Sequence, residues 1–166
     1  AETIFGGASG YDDINGTHPS PRTAAWMITF ENGVRAMLQC GEGAPVFEPG
    51  PNWSHKRIAV YGTRGFLHWR MNAWERAVAG GEIESGEKSY QDEDTVGQAN
   101  LVNAIFDWID DVSAKAPTDL ETSLEEWLVI LGGYMSTVEN RPIDLPFEPP
   151  EDLLDRFKQY AGAPDV

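Results

Sequence analysis

Apolar and polar residues alternate through the first half of the chain and recur at three- and four-residue spacing through the second, so the period changes from strand to helix near residue 95. Residues 22–30 and 34–40 flank Asn32-Gly33, a dipeptide that tolerates the positive φ angles of a tight hairpin turn. A second hairpin is predicted where residues 56–61 and 66–69 flank Gly62-Thr63-Arg64-Gly65. Residues 73–79 and Thr3-Ile4-Phe5 are weaker strand candidates. In the first hairpin Trp26, Ile28 and Phe30 fall on one face and Ala25, Met27 and Thr29 on the other, while Val34, Ala36, Leu38 and Cys40 oppose Arg35, Met37 and Gln39. Neither face is fully polar. Helices are expected on the first, and either a partner subunit or solvent on the second.

In the second half, Val102, Ile105, Phe106, Ile109 and Val112 predict an amphipathic helix over about 95–112, closed by Pro117. Thr122 with Glu125, and Ser123 with Glu126, fit the capping-box pattern, and Leu124, Trp127, Leu128, Leu131, Met135 and Val138 form the apolar stripe of a second helix ending near 138. Gly132-Gly133 inside it costs ~1 kcal/mol per glycine relative to alanine, which points to close approach of another backbone. Pro142 and Pro146 impose an extended segment, and a short third helix is predicted over 151–159. Strands followed by helices give an α+β class: an open, mainly antiparallel sheet with helices packed on one face and the other face available for subunit contact. The long connections, 11–21 and 41–54, are where sites tend to sit on a sheet scaffold.

Charge narrows the choice of partners. The 166 residues carry 27 acids against 12 Lys and Arg, a formal net charge of −15, and residues 82–126 hold thirteen of those acids with two bases. Such a run reads as the solvated face of helices. Phosphate backbones and anionic membranes are bound through clustered Lys and Arg, so neither nucleic acid nor membrane is expected as a partner. The single cysteine, Cys40, excludes an intrachain disulfide and reads as a small apolar strand residue. No window reaches the ~18 apolar residues of a spanning helix, and the opening Ala-Glu-Thr-Ile-Phe lacks the regions of a signal peptide. A soluble, cytoplasmic chain is expected, and a first residue of Ala rather than Met reads as a piece of a longer protein.

Catalytic signatures are sparse. There is no Gly-x-Gly-x-x-Gly, no phosphate-binding loop, no Gly-x-Ser-x-Gly elbow and no paired histidines at metal-ligand spacing, so no metal site is expected. His18, His55 and His68 lie far apart, and His68 reads as a packed sheet residue. Asn15-Gly16-Thr17 and Asn52-Trp53-Ser54 match a glycosylation acceptor by chance. Of the six tryptophans, Trp108 and Trp127 are expected in the core and Trp26 and Trp69 in strands, leaving Trp53 and Trp74 for exposed stacking. The informative stretch is Pro51-Asn-Trp-Ser-His-Lys-Arg57, which sets an indole, an imidazole and two cations at the start of a strand. Asn52, Trp53, His55, Lys56 and Arg57 suit a polyhydroxylated or anionic small molecule, Trp53 stacking on a sugar face while His55 or Lys56 donates hydrogen bonds. The same residues also suit a plain surface loop whose cations lie along apolar neighbours.

Phe30-Glu-Asn-Gly-Val-Arg-Ala36, Lys56-Arg-Ile-Ala-Val-Tyr-Gly-Thr-Arg-Gly-Phe-Leu-His-Trp69, Leu124-Glu-Glu-Trp127, Met135-Ser-Thr137 and Arg141-Pro-Ile-Asp-Leu-Pro146 follow one another in an order that resembles the C-terminal half of the glucose-fructose oxidoreductase, inositol dehydrogenase and rhizopine-catabolism (Gfo/Idh/MocA) family. The resemblance covers about residues 1–150, leaving 151–166 as a short helix and tail. It implies a substrate-binding and oligomerisation domain whose parent enzyme has an N-terminal Rossmann domain, absent here, that binds NAD or NADP. It also implies a homo-oligomer formed through the sheet face and hydride transfer on a sugar, inositol or related polyol. The family's Glu-Lys-Pro and Asp-x-x-x-His signatures have no counterpart: Glu87-Lys88 is followed by Ser89, and Asp13 precedes His18 by five positions. No catalytic residue and no cofactor ligand are therefore carried over, and the chain alone is expected to be inactive. Position does carry over, since in the family the stretch before the Gly-x-x-Gly hairpin reaches the substrate pocket, and here that stretch is Asn52 to Arg57. The alternative is a free-standing carbohydrate-binding or protein-interaction module.

Overall fold

The structure is a computed structural model that describes residues 1–9, 12–14, 18–41, 44–46, 56–113 and 116–161. The chain forms two compact units, one of residues 1–45 with 118–166 and the other of residues 46–117. Every paired strand is antiparallel and the class is α+β, as the change of period predicts. The strands of the described residues divide among three sheets.

In the first unit, β1 (Thr3–Ser9), β4 (Thr23–Thr29), β5 (Arg35–Gly41) and β10 (Ile143–Asp144) make a sheet of order β10-β1-β4-β5, with β2 (Asp12–Ile14) and β3 (His18–Ser20) as a separate pair. The Asn32-Gly33 turn forms as the sequence predicts. Gly33 takes φ 81°, Phe30 N–H donates to Val34 O at 2.9 Å, and Val34 N–H donates to the Asn32 side-chain oxygen at 3.1 Å. Alternation then sends Ile4, Ala8, Ala24 and Trp26 into the core and leaves Phe5, Met27 and Met37 exposed. Cys40, on edge strand β5, is exposed rather than packed.

Helix α2 (Leu120–Glu139) covers β1 with its C-terminal half, where residues 132–137 are buried. Its N-cap is Asp119, three residues before the capping boxes read from sequence: the Asp119 carboxylate accepts from Thr122 N–H at 2.8 Å and from the Thr122 hydroxyl at 2.9 Å. The N-terminal part of the predicted stripe stays outside the core. Leu124 is exposed and Trp127 is 39% exposed, which corrects the core placement of Trp127.

Gly132 and Gly133 do mark a close approach, though of side chains and not of backbone. A Cβ on Gly132 would meet Ile4 and Leu145, and one on Gly133 would meet the Trp26 indole. Ser136, fully buried, donates to Arg141 O at 2.8 Å and accepts from Gly6 N–H at 3.2 Å, tying helix to sheet. Helix α3 (Leu153–Ala161) packs on α2, with Phe157 stacked on Tyr134 at 4.3 Å.

The second unit is a meander of β6 (Arg57–Gly62), β7 (Gly65–Arg70), β8 (Ala73–Val78) and β9 (Glu84–Glu87), in that order, followed by α1 (Tyr90–Asp110). Gly65 at φ 147° closes the β6–β7 turn. Helix α1 starts five residues earlier than its apolar stripe predicts, because the Ser89 hydroxyl accepts from Asp92 N–H at 3.3 Å and caps it. None of its residues is buried, and Val102, Phe106 and Ile109 are exposed. Trp108, expected in the core, is 36% exposed. Periodicity marks a helix as amphipathic without specifying what covers it. No described helix is long and apolar enough to cross a membrane.

Candidate functional site

Of the five residues singled out in sequence, Asn52, Trp53 and His55 lie outside the described residues. Lys56 stands just before β6, its ammonium donating to the Tyr90 hydroxyl at 3.3 Å and lying 5.1 Å from that ring's centre. Arg57 is the first residue of β6 and faces Arg70 across the β6–β7 ladder.

The register of the meander gives the sheet two different faces. Because Arg57 pairs with Arg70, Ala59 with His68 and Tyr61 with Phe66, and because His68 pairs onward with Glu75, one face carries Arg57, Tyr61, His68, Arg70 and Glu75. These side chains form a chain of hydrogen bonds. His68 Nδ1 meets a Glu75 carboxylate oxygen at 2.6 Å, His68 Nε2 meets the Tyr61 hydroxyl at 2.9 Å, and the Arg57 guanidinium donates to that hydroxyl at 3.3 Å.

The carboxylate fixes the imidazole. An ionised Glu75 can only accept, so a neutral His68 carries its proton on Nδ1 and presents Nε2 as acceptor to the Tyr61 O–H. The His68 hydrogen bond holds the Glu75 carboxyl below its ordinary value of 4.5; desolvation opposes this, and the charges of His68, Arg70 and Arg57 add to it. The His68 side chain is 14% exposed, whereas Tyr61 as a residue is 70% exposed. Arg70 Nε is buried without a hydrogen-bond partner among the described residues.

The other face is apolar and aromatic, with Ile58, Val60 and Leu67 exposed. Lys88 lies 4.1 Å from the Trp69 ring centre and pairs with Glu93, and Arg76 lies 5.7 Å from that of Trp74 and pairs with Glu84. Trp74, expected as a free stacking platform, is thus covered by its own neighbour. An open depression of about 440 Å³ at the β6–β7 turn is lined by Val60, Arg64, Leu67 and others, and does not include the Tyr61, His68 or Glu75 side chains. Among the described residues no three His, Cys, Asp or Glu side chains are grouped as metal ligands.

Comparison with protein-family models, curated proteins and solved structures gave no match. The functional reading therefore rests on the residues and their geometry.

Tyr61, Arg70 and Glu75 are the residues that sequence reasoning passed over, and His68 was read only as a packed sheet residue, a place its 14% side-chain exposure agrees with. The signal was present. Folding the Gly62–Gly65 turn on paper with period 2 aligns Arg57 with Arg70 and brings His68 beside Tyr61, and only the weakness of the β8 pattern concealed Glu75.

Proposed function

We propose that this chain is the substrate-binding and subunit-contact domain of an NAD(P)-dependent oxidoreductase acting on a sugar, inositol or related polyol, and that the chain alone carries out no turnover. The observation that carries this reading is the polar row that begins at Arg57. Vicinal hydroxyls require donors and acceptors side by side, and the Arg57 guanidinium as donor and the Tyr61 oxygen as acceptor, the latter held by His68, stand together on the strand that the stretch singled out by the resemblance enters. The α+β class and the two glycine-turn hairpins support the same resemblance.

The described residues do not fit a dinucleotide. Their strands pair only antiparallel, with no strand–glycine turn–helix unit in a parallel sheet, so no step of hydride transfer is assigned to them.

Subunit contact belongs to the outer face of the first unit's sheet. Phe5, Met27 and Met37 are cross-strand neighbours there, 45%, 46% and 68% exposed. The adjoining row runs Asp144, Thr3, Thr29, Arg35, with opposite charges at its two ends. A two-fold axis along the strands between β1 and β4 sets Arg35 of one copy against Asp144 of the other and Phe5 against Met27. This is a self-complementary arrangement on a chain that is otherwise strongly acidic.

The direct test is to read the coding sequence upstream of the Ala1 codon. An open frame encoding a strand, a glycine-rich turn, a helix and a later Glu-Lys-Pro supports the proposal. A start codon immediately before Ala1 supports a free-standing binding module.

A further inference from the structure

Both ring nitrogens of His68 are engaged, and while the imidazole is neutral their roles differ. Nδ1–H donates to Glu75 at 2.6 Å, and Nε2 accepts the Tyr61 O–H at 2.9 Å. The Tyr61 oxygen itself accepts from the Arg57 guanidinium at 3.3 Å, so its proton is committed to His68 and one lone pair is left over. In this state the hydroxyl serves a ligand only as an acceptor. It suits the O–H of a polyol.

A second proton on His68 reverses these roles. It enters at Nε2, because Nδ1 already carries the proton given to Glu75. Two hydrogens do not fit on the 2.9 Å line between Nε2 and the Tyr61 oxygen, so the phenolic O–H turns away about its C–O bond and the oxygen accepts from Nε2–H instead. With Arg57 and His68 both donating to it, the oxygen has no lone pair left and its proton is released. The same hydroxyl then serves a ligand only as a donor. It suits a carbonyl or ether oxygen.

Glu75 holds the imidazole through the change: the His68 hydrogen bond keeps its carboxyl below the ordinary 4.5, so it stays ionised where histidines gain their second proton, at about pH 5 to 8. The register places three further charged side chains on this face, Arg57 and Arg70 opposite one another and Glu87 on β9. The rings nearest His68 are Phe66 and Tyr61, with centroids at 4.8 and 5.2 Å. The charges set the pH of the change, and its direction follows from the bonding alone. Tyr61 as a residue is 70% exposed, so a ligand on this face meets it.

We propose that His68 is a positioning residue whose protonation reverses the Tyr61 hydroxyl, from acceptor of a ligand O–H to donor toward a ligand carbonyl or ether oxygen. The proposal rests on the polyol reading for its ligand, and it adds a selection: hydroxyl ligands above the His68 midpoint, oxygen acceptors below it.

The test follows the His68 ring nitrogens and the Tyr61 Cζ of the isotopically labelled full chain by NMR from pH 8 to about pH 5. The neutral ring is expected to carry its proton on Nδ1, and Tyr61 Cζ to move away from its phenolate position with the His68 midpoint. The chain is then titrated on either side of that midpoint with myo-inositol, and with its hexamethyl ether, which only accepts. Relative to inositol, the ether should bind at least about threefold tighter below the midpoint than above it, as for one neutral hydrogen bond. His68→Gln, which gains no proton in this range, should abolish that dependence, and so should Tyr61→Phe, the second variant if His68→Gln misfolds. A neutral ring protonated on Nε2, or a Tyr61 signal that stays flat through the His68 midpoint, overturns the proposal whatever the ligands do. Equal pH dependence for both ligands, or a dependence that survives Tyr61→Phe, also overturns it. The coupled titration with neither ligand bound at any pH sustains the reversal and removes the polyol reading.

Discussion

Two glycine-to-alanine substitutions, chemically identical, should move stability in opposite directions. Both Gly97 in α1 and Gly133 in α2 sit inside helices, where alanine is favoured by ~1 kcal/mol. A Cβ at Gly97 meets nothing within 4 Å, so Gly97→Ala should stabilise by ~0.5–1 kcal/mol. A Cβ at Gly133 meets Trp26 Cε2 at 2.6 Å, Cδ2 at 2.8 Å and Cζ2 at 2.9 Å. That indole cannot swing away cheaply, being 5% exposed and set edge-on to Tyr134 with centroids 6.0 Å apart.

Overpacking a core by one methyl costs ~1–3 kcal/mol, and three contacts this short place Gly133→Ala at the upper end. Subtracting the propensity gain leaves a net loss of ~2 kcal/mol, or ~8–16 °C in the melting temperature of a unit this size. Urea and thermal unfolding followed by circular dichroism measure both variants. In a Trp26→Phe background, which shortens the opposing ring, the penalty of Gly133→Ala should fall by ~1 kcal/mol. A Gly133→Ala protein as stable as the parent would refute the placement of Trp26 against α2.

Ser136→Ala should destabilise by ~1–3 kcal/mol in the same assay, since it removes the buried hydroxyl that serves both the Gly6 N–H and the Arg141 carbonyl; a loss below ~0.5 kcal/mol would mean that water replaces the hydroxyl. The Glu75 carboxyl, held below its ordinary 4.5 by His68, stabilises the fold fully above that value and loses its contribution as pH falls through the lowered one. The gap in stability between the parent and Glu75→Gln should therefore narrow on going from pH 6 to about pH 3, and parallel curves would contradict the His68–Glu75 bond. Met37→Asp, on the outer sheet face, should convert a self-associating chain to an 18.3 kDa monomer by light scattering at tens of micromolar. A parent that is monomeric at that concentration would remove the sheet face as a subunit contact.

What the sequence made legible was local. Asn32-Gly33 and Gly62 to Gly65 each determine a turn within a few residues, and both hairpins form, the first with the predicted alternation of Trp26 and Ile28 against Met27 and Met37. Helix starts were less legible, because the Ser89 and Asp119 caps lie before the apolar stripes and are followed by polar first turns. Long-range partners were not legible at all. Ile143 closes the sheet beside Ile4 from the far end of the chain, and nothing in either segment encodes that pairing. The stripe on α1 was read correctly as amphipathic, yet burial depends on a covering surface that periodicity does not name. The polar row fell between these cases. Each of its residues has an ordinary place in an alternating strand, and only the register of three strands turns them into a cluster.

The central claim is that the face carrying Arg57, Tyr61 and His68 contacts a polyol, and a titration of the isotopically labelled chain with myo-inositol tests it most directly. The account predicts saturable shifts confined to residues of β6, β7 and β8, led by His68 and Tyr61 and lost in Arg57→Gln. Shifts absent at saturating inositol and at every other sugar tried, or confined to residues of the first unit, would contradict it.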